Sequence, residues 1–186
     1  MSPVFEVRVH GRGGQGVVTA AELLSVAAFK EGRHAQAFPS FGSERTGAPV
    51  VAFCRIADRE IRTHAPIVAP DAVIIQDPTL LGRLPVLDGL APDGFVLVNS
   101  TKDIAVDAGN VFVVPATEIA RELVGRPVPN AALPGGFSAA SGVVSLASVS
   151  AAIRERFTGG VAEANVAAAA RAFEIVRAEL KEHQHA

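Results

Sequence analysis

Between Phe5 and Glu31 the chain passes from an alternating β pattern, through six residues of which four are glycine, into a stretch free of glycine and proline. No other feature constrains the fold as strongly. Phe5 to His10 reads Phe-Glu-Val-Arg-Val-His, with β-branched and aromatic residues alternating with polar ones, which predicts a strand. Gly11-Arg12-Gly13-Gly14-Gln15-Gly16 follows. Val17 to Glu31 is dense in alanine and leucine, with Leu23, Val26, Ala27 and Lys30 at helical spacing, and Gly32 supplies a stop. Strand, glycine loop and helix in this order form the opening of a βαβ unit.

A glycine loop at this junction lets the backbone turn tightly and approach a ligand, while the helix start presents unpaired N–H groups that favour a phosphate. The spacing Gly11-x-Gly13-x-x-Gly16 is the one used by dinucleotide sites. Such sites also place an acidic residue at the end of the second strand, and Arg33-His34-Ala35-Gln36-Ala37-Phe38 contains none. Three readings stay open: a turn that only shapes the chain, a dinucleotide site, or a site for another phosphate-bearing ligand. Arg12 either supports such an anion or is a solvated loop arginine. A second loop, Ser40 to Pro49, is rich in turn formers and carries Glu44 and Arg45. It is either a solvated surface loop or the second wall of the same site.

The remaining pattern completes an α/β chain. His34–Phe38 and Val50–Ile56 read as strands, and Ala57-Asp58-Arg59-Glu60 as a hairpin turn into a short antiparallel segment at Ile61–Thr63. The runs 72–77, 94–99 and 110–114 are short and apolar, as befits strands buried on both faces of a sheet. Thr117 is placed to cap a helix over 118–124, and 126–136, with three prolines and two glycines, reads as a loop. Leu146–Phe157 and Glu163–Glu182 read as helices separated by Gly159-Gly160. The expectation is a single domain over residues 1–186: α/β, with a mostly parallel sheet, an antiparallel hairpin and a helical C-terminal third.

Composition narrows the function. Hydrophobic residues make up 49% of the chain and charged residues 19%, an apolar balance that calls for doubly buried strands, a partner covering part of the surface, or both. A net charge of −2 without a basic stripe argues against nucleic acid. One cysteine excludes an internal disulfide and a cysteine-ligated cluster built from this chain alone. Within its apolar strand, Cys54 reads as a buried small hydrophobe. His10 and His64 lack metal-ligand spacing, and His183 and His185 fall in what reads as a frayed tail. Phe173, Val176 and Leu180 on the last helix read as core or subunit interface. With neither a signal-peptide pattern nor a run long enough to span a membrane, the expected location is the cytoplasm.

Three segments in order carry a resemblance: G-R-G-G-Q-G, then Q-A-F-P-S-F-G-S-E-R-T-G-A-P-V-V-A-F, then P-D-A-V-I-I-Q-D-P-T-L-L. The chain resembles the gamma subunit of pyruvate:ferredoxin and related 2-oxoacid:acceptor oxidoreductases. The likeness continues through Asn99-Ser100-Thr101, Ala116-Thr117-Glu118 and the C-terminal helices. It implies a Rossmann-like subunit of a complex that decarboxylates a 2-oxoacid oxidatively, with coenzyme A as acyl acceptor and ferredoxin or another electron acceptor. Thiamine diphosphate, Mg and 4Fe-4S clusters would sit on partner alpha, beta and delta subunits; this chain would hold no cofactor alone and would contact coenzyme A. Carried onto this sequence, the contacts are Gly13, Gly14, Gln15 and Gly16 in the first loop, and Ser40, Phe41, Gly42, Glu44 and Arg45 in the second. A phenylglyoxylate or indolepyruvate oxidoreductase subunit, with NAD served through another chain, is the alternative within the family. A stand-alone nucleotide-binding regulatory module is the alternative outside it.

Overall fold

The computed structural model describes residues 4–40 and 46–185. Six strands form one sheet in the order β2-β3-β1-β4-β5-β6. They are β1 (Val4–Arg12), β2 (His34–Pro39), β3 (Pro49–Ala57), β4 (Ala72–Ile75), β5 (Phe95–Asn99) and β6 (Asn110–Val114). β3 is antiparallel to both β1 and β2, and the pairings β1–β4, β4–β5 and β5–β6 are parallel. Five strands therefore run one way and β3 alone opposes them, so the sheet is mostly parallel as expected.

The antiparallel hairpin exists but lies elsewhere. It joins β2 to β3, whereas Ile61–Thr63 forms no strand. Both edges of β3 are already taken by β1 and β2, which leaves the segment after Ala57 no ladder to join. Side chains hold it instead: Arg55 Nη2 donates to Ala65 O at 2.7 Å and Arg8 Nη1 to Ile67 O at 3.4 Å.

Strand alternation divides the sheet into two faces. Val7, Val9, Cys54, Ile56, Ala72, Ile74, Phe95 and Leu97 point to the main core, where all five helices pack. These are α1 (Val17–Lys30), α2 (Ala116–Leu123), α3 (Ala132–Ser141), α4 (Leu146–Arg156) and α5 (Gly159–His185). Val73, Ile75, Val96 and Val98 face a smaller core closed by Leu80 and Val86 from an irregular stretch that includes a one-turn 3₁₀ helix at Pro78–Leu80. Cys54 is fully buried and its thiol is pushed up to about 12 by burial, in keeping with its reading as a small hydrophobe.

The helical C-terminal third is as expected in outline and different in detail. Residues 132–136, read as loop, open α3. Pro134 sits in the first turn, where its missing N–H has no intrahelical acceptor to lose. Gly135 is there because α5 crosses so closely that a Cβ would stand 2.0 Å from Ala169 O. Thr117 does not cap α2 with its side chain; Asn99 at the end of β5 accepts from Thr117 N–H at 3.1 Å instead. α5 runs unbroken to His185, with the His183 ring 6.3 Å from that of Phe112, so the expected frayed tail is helix. Of the residues read as core or subunit interface, Val176 is buried in the core and Leu180 packs against it, whereas Phe173 is half-buried and outside that cluster. Among the described residues no helix is long and apolar enough to cross a membrane.

Candidate functional site

The site is built where β1 runs out. Gly13 N–H donates to Ala48 O at 2.8 Å and Gly47 N–H to Gly13 O at 3.1 Å, an isolated parallel bridge of Gly13 with Thr46. The first loop and the end of the second are thus joined backbone to backbone. Gly14 (φ 90°) and Gly16 (φ 70°) then take left-handed conformations that turn the chain into α1. At Gly16 a side chain is excluded twice, since a Cβ would also lie 2.3 Å from Asn130 Nδ2. Gly16 occupies the cap position of α1 and offers no side chain to the first-turn amides. Val17, Val18 and Thr19 therefore begin the helix with N–H groups that no intrahelical carbonyl can satisfy.

These residues enclose a cavity of about 280 Å³ lined by Arg12, Gly13, Gly14, Gly16, Val17, Val18, Thr19 and Val50. Of the expected contacts, Gly13, Gly14 and Gly16 line it. Gln15 does not, because its side chain is turned into the protein: Oε1 accepts from Arg12 N–H at 2.8 Å and Nε2 donates to Asp77 Oδ2 at 3.0 Å. Ser40 is exposed at the end of β2, with its N–H donating to Val51 O, and lies outside the lining. Phe41, Gly42, Glu44 and Arg45 lie outside the described residues.

Arg12 is tethered at each of its three guanidinium nitrogens. Its Nε lies 3.2 Å from Asp77 Oδ2, Nη1 donates to Gly47 O at 3.1 Å, and Nη2 to Thr79 Oγ1 at 3.0 Å. Burial would raise the Asp77 carboxyl, but the hydroxyl and amide of Thr79, the amide of Gln15 and the charge of Arg12 outweigh it and hold the group below the usual range. Gln76, 1% exposed, donates from Nε2 to Gln15 O at 2.8 Å, and its Oε1 has no partner among the described residues. Gln76, Asp77 and Thr79 fall within the third segment that carries the resemblance, which assigns them no role. Val17, Val18, Thr19 and Val50 went unremarked, although the first-turn position of the first three is the signal that marks them.

A standard dinucleotide arrangement is not what this geometry provides. The strand following α1 is β2, which sits two places from β1 with β3 between them, and it ends in Phe38 and Pro39. Nor is Cys54 placed to serve as a metal ligand, being sealed in β3; among the described residues no three His, Cys, Asp or Glu side chains gather for one.

Fold and site define a class: an α/β chain with a glycine-lined cavity at a helix start, bridged through Gly13 to the end of a second loop. Residues 6–175 match the family described as pyruvate ferredoxin/flavodoxin oxidoreductase. The chain is 48% identical over 177 residues to the pyruvate/ketoisovalerate oxidoreductases common subunit gamma of Thermococcus kodakarensis, covering 91% of this chain and 96% of that one. It is 47% identical over 171 residues to the pyruvate synthase subunit PorC of Methanocaldococcus jannaschii, with the same two coverages. The crystal structure of the pyruvate oxidoreductase subunit PORC of Thermotoga maritima superposes with a TM-score of 0.84 at 36% identity, over 94% of this chain and 97% of that one. The chain belongs to the pyruvate ferredoxin/flavodoxin oxidoreductase family and is of its gamma-subunit type.

Proposed function

We propose that this chain is the gamma subunit of a thiamine-diphosphate-dependent oxidoreductase that converts pyruvate or a closely related 2-oxoacid to its acyl-CoA, with ferredoxin as electron acceptor. The names of the similar proteins, pyruvate synthase and pyruvate/ketoisovalerate oxidoreductase, support the substrate class. In this reading the chain carries out no bond-making step. It holds coenzyme A against the rest of the complex and helps assemble it with alpha, beta and delta partners that carry the thiamine and the clusters.

The observation that carries the coenzyme A role is the uncapped start of α1 opening into the glycine-lined cavity. Phosphate oxygens of coenzyme A suit the amides of Val17 to Thr19, and the helix dipole adds favourable charge. Val17, Val18 and Val50 give the cavity an apolar flank.

The test is Thr19→Glu in the reconstituted complex. A carboxylate in the first turn favours the helix itself, so folding is not at stake, but it fills the anion pocket with negative charge. The expected result is a rise in KM for coenzyme A of about tenfold or more with the 2-oxoacid KM unchanged. An unchanged coenzyme A KM rules out binding at this helix start.

A further inference from the structure

We propose that Asp77 is a positioning residue of the coenzyme A site, holding the glycine loop and the end of the second loop in the geometry that receives the ligand. The inference rests on the reading of the cavity given above and extends it to a third segment, the turn after β4. Both carboxylate oxygens of Asp77 are used. Oδ2 receives Gln15 Nε2 at 3.0 Å and Arg12 Nε at 3.2 Å, while Oδ1 receives Thr79 N at 3.0 Å and Thr79 Oγ1 at 2.6 Å. What Asp77 holds in turn holds the loops. Gln15 Oε1 fixes the Arg12 N–H, and Arg12 Nη1 fixes the Gly47 carbonyl of the segment bridged to Gly13. From the other side Gln76 Nε2 fixes the Gln15 carbonyl.

This arrangement ties to one carboxylate the two side chains, Arg12 and Gln15, that hold the glycine loop and the end of the second loop in position. Gly13, Gly14 and Gly16 bring the conformational freedom of glycine to this loop, and a phosphate site made of backbone amides is only as ordered as that backbone. Charge matters as well as shape. Asp77 directs Arg12, which lines the cavity, along the loop; among the described residues it is the one carboxylate paired with that guanidinium. An asparagine at 77 keeps the size but must present an NH₂ group to one of two sets of donors, either Gln15 and Arg12 or Thr79.

The experiment compares Asp77→Asn with Thr19→Glu in the reconstituted complex, reading KM for coenzyme A, KM for the 2-oxoacid and thermal unfolding. The expected result for Asp77→Asn is a coenzyme A KM raised about tenfold, with the 2-oxoacid KM held and kcat changed much less. Arg12→Gln combined with Asp77→Asn is expected to be no worse than the more severe single change, because both break one network. A coenzyme A KM within about twofold of the parent, or two penalties that multiply, overturns the positioning role. Should Asp77→Asn fail to assemble, Thr79→Val removes only the hydroxyl between Asp77 and Arg12. It is expected to raise the coenzyme A KM about threefold, and no change there overturns the proposal equally. If Thr19→Glu raises the KM and the Asp77 and Thr79 variants do not, only the positioning role falls. If Thr19→Glu leaves it unchanged, the coenzyme A reading falls and the positioning role with it.

Discussion

Gly135 and Ala169 meet backbone to backbone: a Cβ on Gly135 would stand 2.0 Å from Ala169 O and 2.6 Å from its carbonyl carbon. The atoms in the way are main chain of α5, which cannot swing aside as a side chain tip can. Gly135→Ala must therefore push α3 from α5, and a Cβ on Gly136 beside it would stand only 3.3 Å from Leu97 Cδ2 and 3.4 Å from Val176 Cγ2. The expected cost is about 3 kcal/mol, at the upper end for overpacking. Urea unfolding of the variant against its parent measures it; a loss below about 1 kcal/mol means the helices part easily.

His10 gives the chain a defined sensitivity to acid. Its ring is buried, and desolvation first, with the charge of Arg8 second, lowers its pKa from 6.5 to about 4. Arg8 Nε donates to His10 Nε2 at 3.2 Å, so protonation would also set donor against donor. The folded state keeps the neutral ring while the unfolded chain takes up a proton below 6.5, so this contribution to stability is lost as pH falls from 6.5 towards 4. Between pH 7 and pH 5 the loss amounts to about 2 kcal/mol. His10→Gln keeps an acceptor and does not titrate. Urea midpoints at the two pH values are expected to differ less in the variant than in the parent; equal differences remove His10 as the cause.

Arg55 is 3% exposed and serves three acceptors on the second face of the sheet: Glu6 Oε1 at 2.7 Å, Gln36 Oε1 at 3.0 Å and Ala65 O at 2.7 Å. Its guanidinium also lies 5.7 Å from the centroid of the Phe38 ring. Removing it strands a carboxylate and two further acceptors, so Arg55→Met is expected to lose about 3 kcal/mol. Arg55→Lys should recover little, since one ammonium cannot span three acceptors set out for a planar fork. Denaturant midpoints of the two variants decide it, and a lysine variant as stable as the parent would show that only charge matters.

Much of this fold was legible because burial writes itself into strands. The alternation Val7, Val9 against Arg8, His10 sorts the two faces correctly, and the continuous apolar runs of β4 and β5 mark strands covered on both sides. What stayed hidden was set by distant partners. The glycines at 135 and 136 look like loop until α5 is known to cross there. The segment at 61–63 looks like a strand until β3 is seen to have both edges filled. At the site, the glycine spacing located the cavity, and the positions of Gly13, Gly14 and Gly16 follow from it. Gln15 is a ligand contact only as the resemblance implies it, and its side chain turns inward instead. Its partner Asp77 lies 62 residues further on, and local reasoning has no way to pair them.

The join between β5 and α2 gives a last case of the same kind, and one that can be measured. Asn99 Nδ2 donates to Gln76 O and to Thr117 Oγ1, both at 2.8 Å, while Asn99 Oδ1 accepts from Thr117 N–H at 3.1 Å. Asn99 is 6% exposed, so water does not readily replace these bonds. It ties the end of β4, the end of β5 and the first turn of α2 at one point, and it does for α2 what its cap residue, Pro115, cannot. Thr117→Val removes one acceptor and leaves the backbone bond, which should cost about 1 kcal/mol. Asn99→Leu leaves the Thr117 N–H and the Gln76 carbonyl buried without this partner and should cost about 3 kcal/mol. Because the Asn99–Thr117 side-chain bond is already lost in Asn99→Leu, the double variant is expected to be destabilised by less than the sum of the singles. Strict additivity in denaturant unfolding would mean that the two side chains act separately and that α2 is held by its apolar face alone.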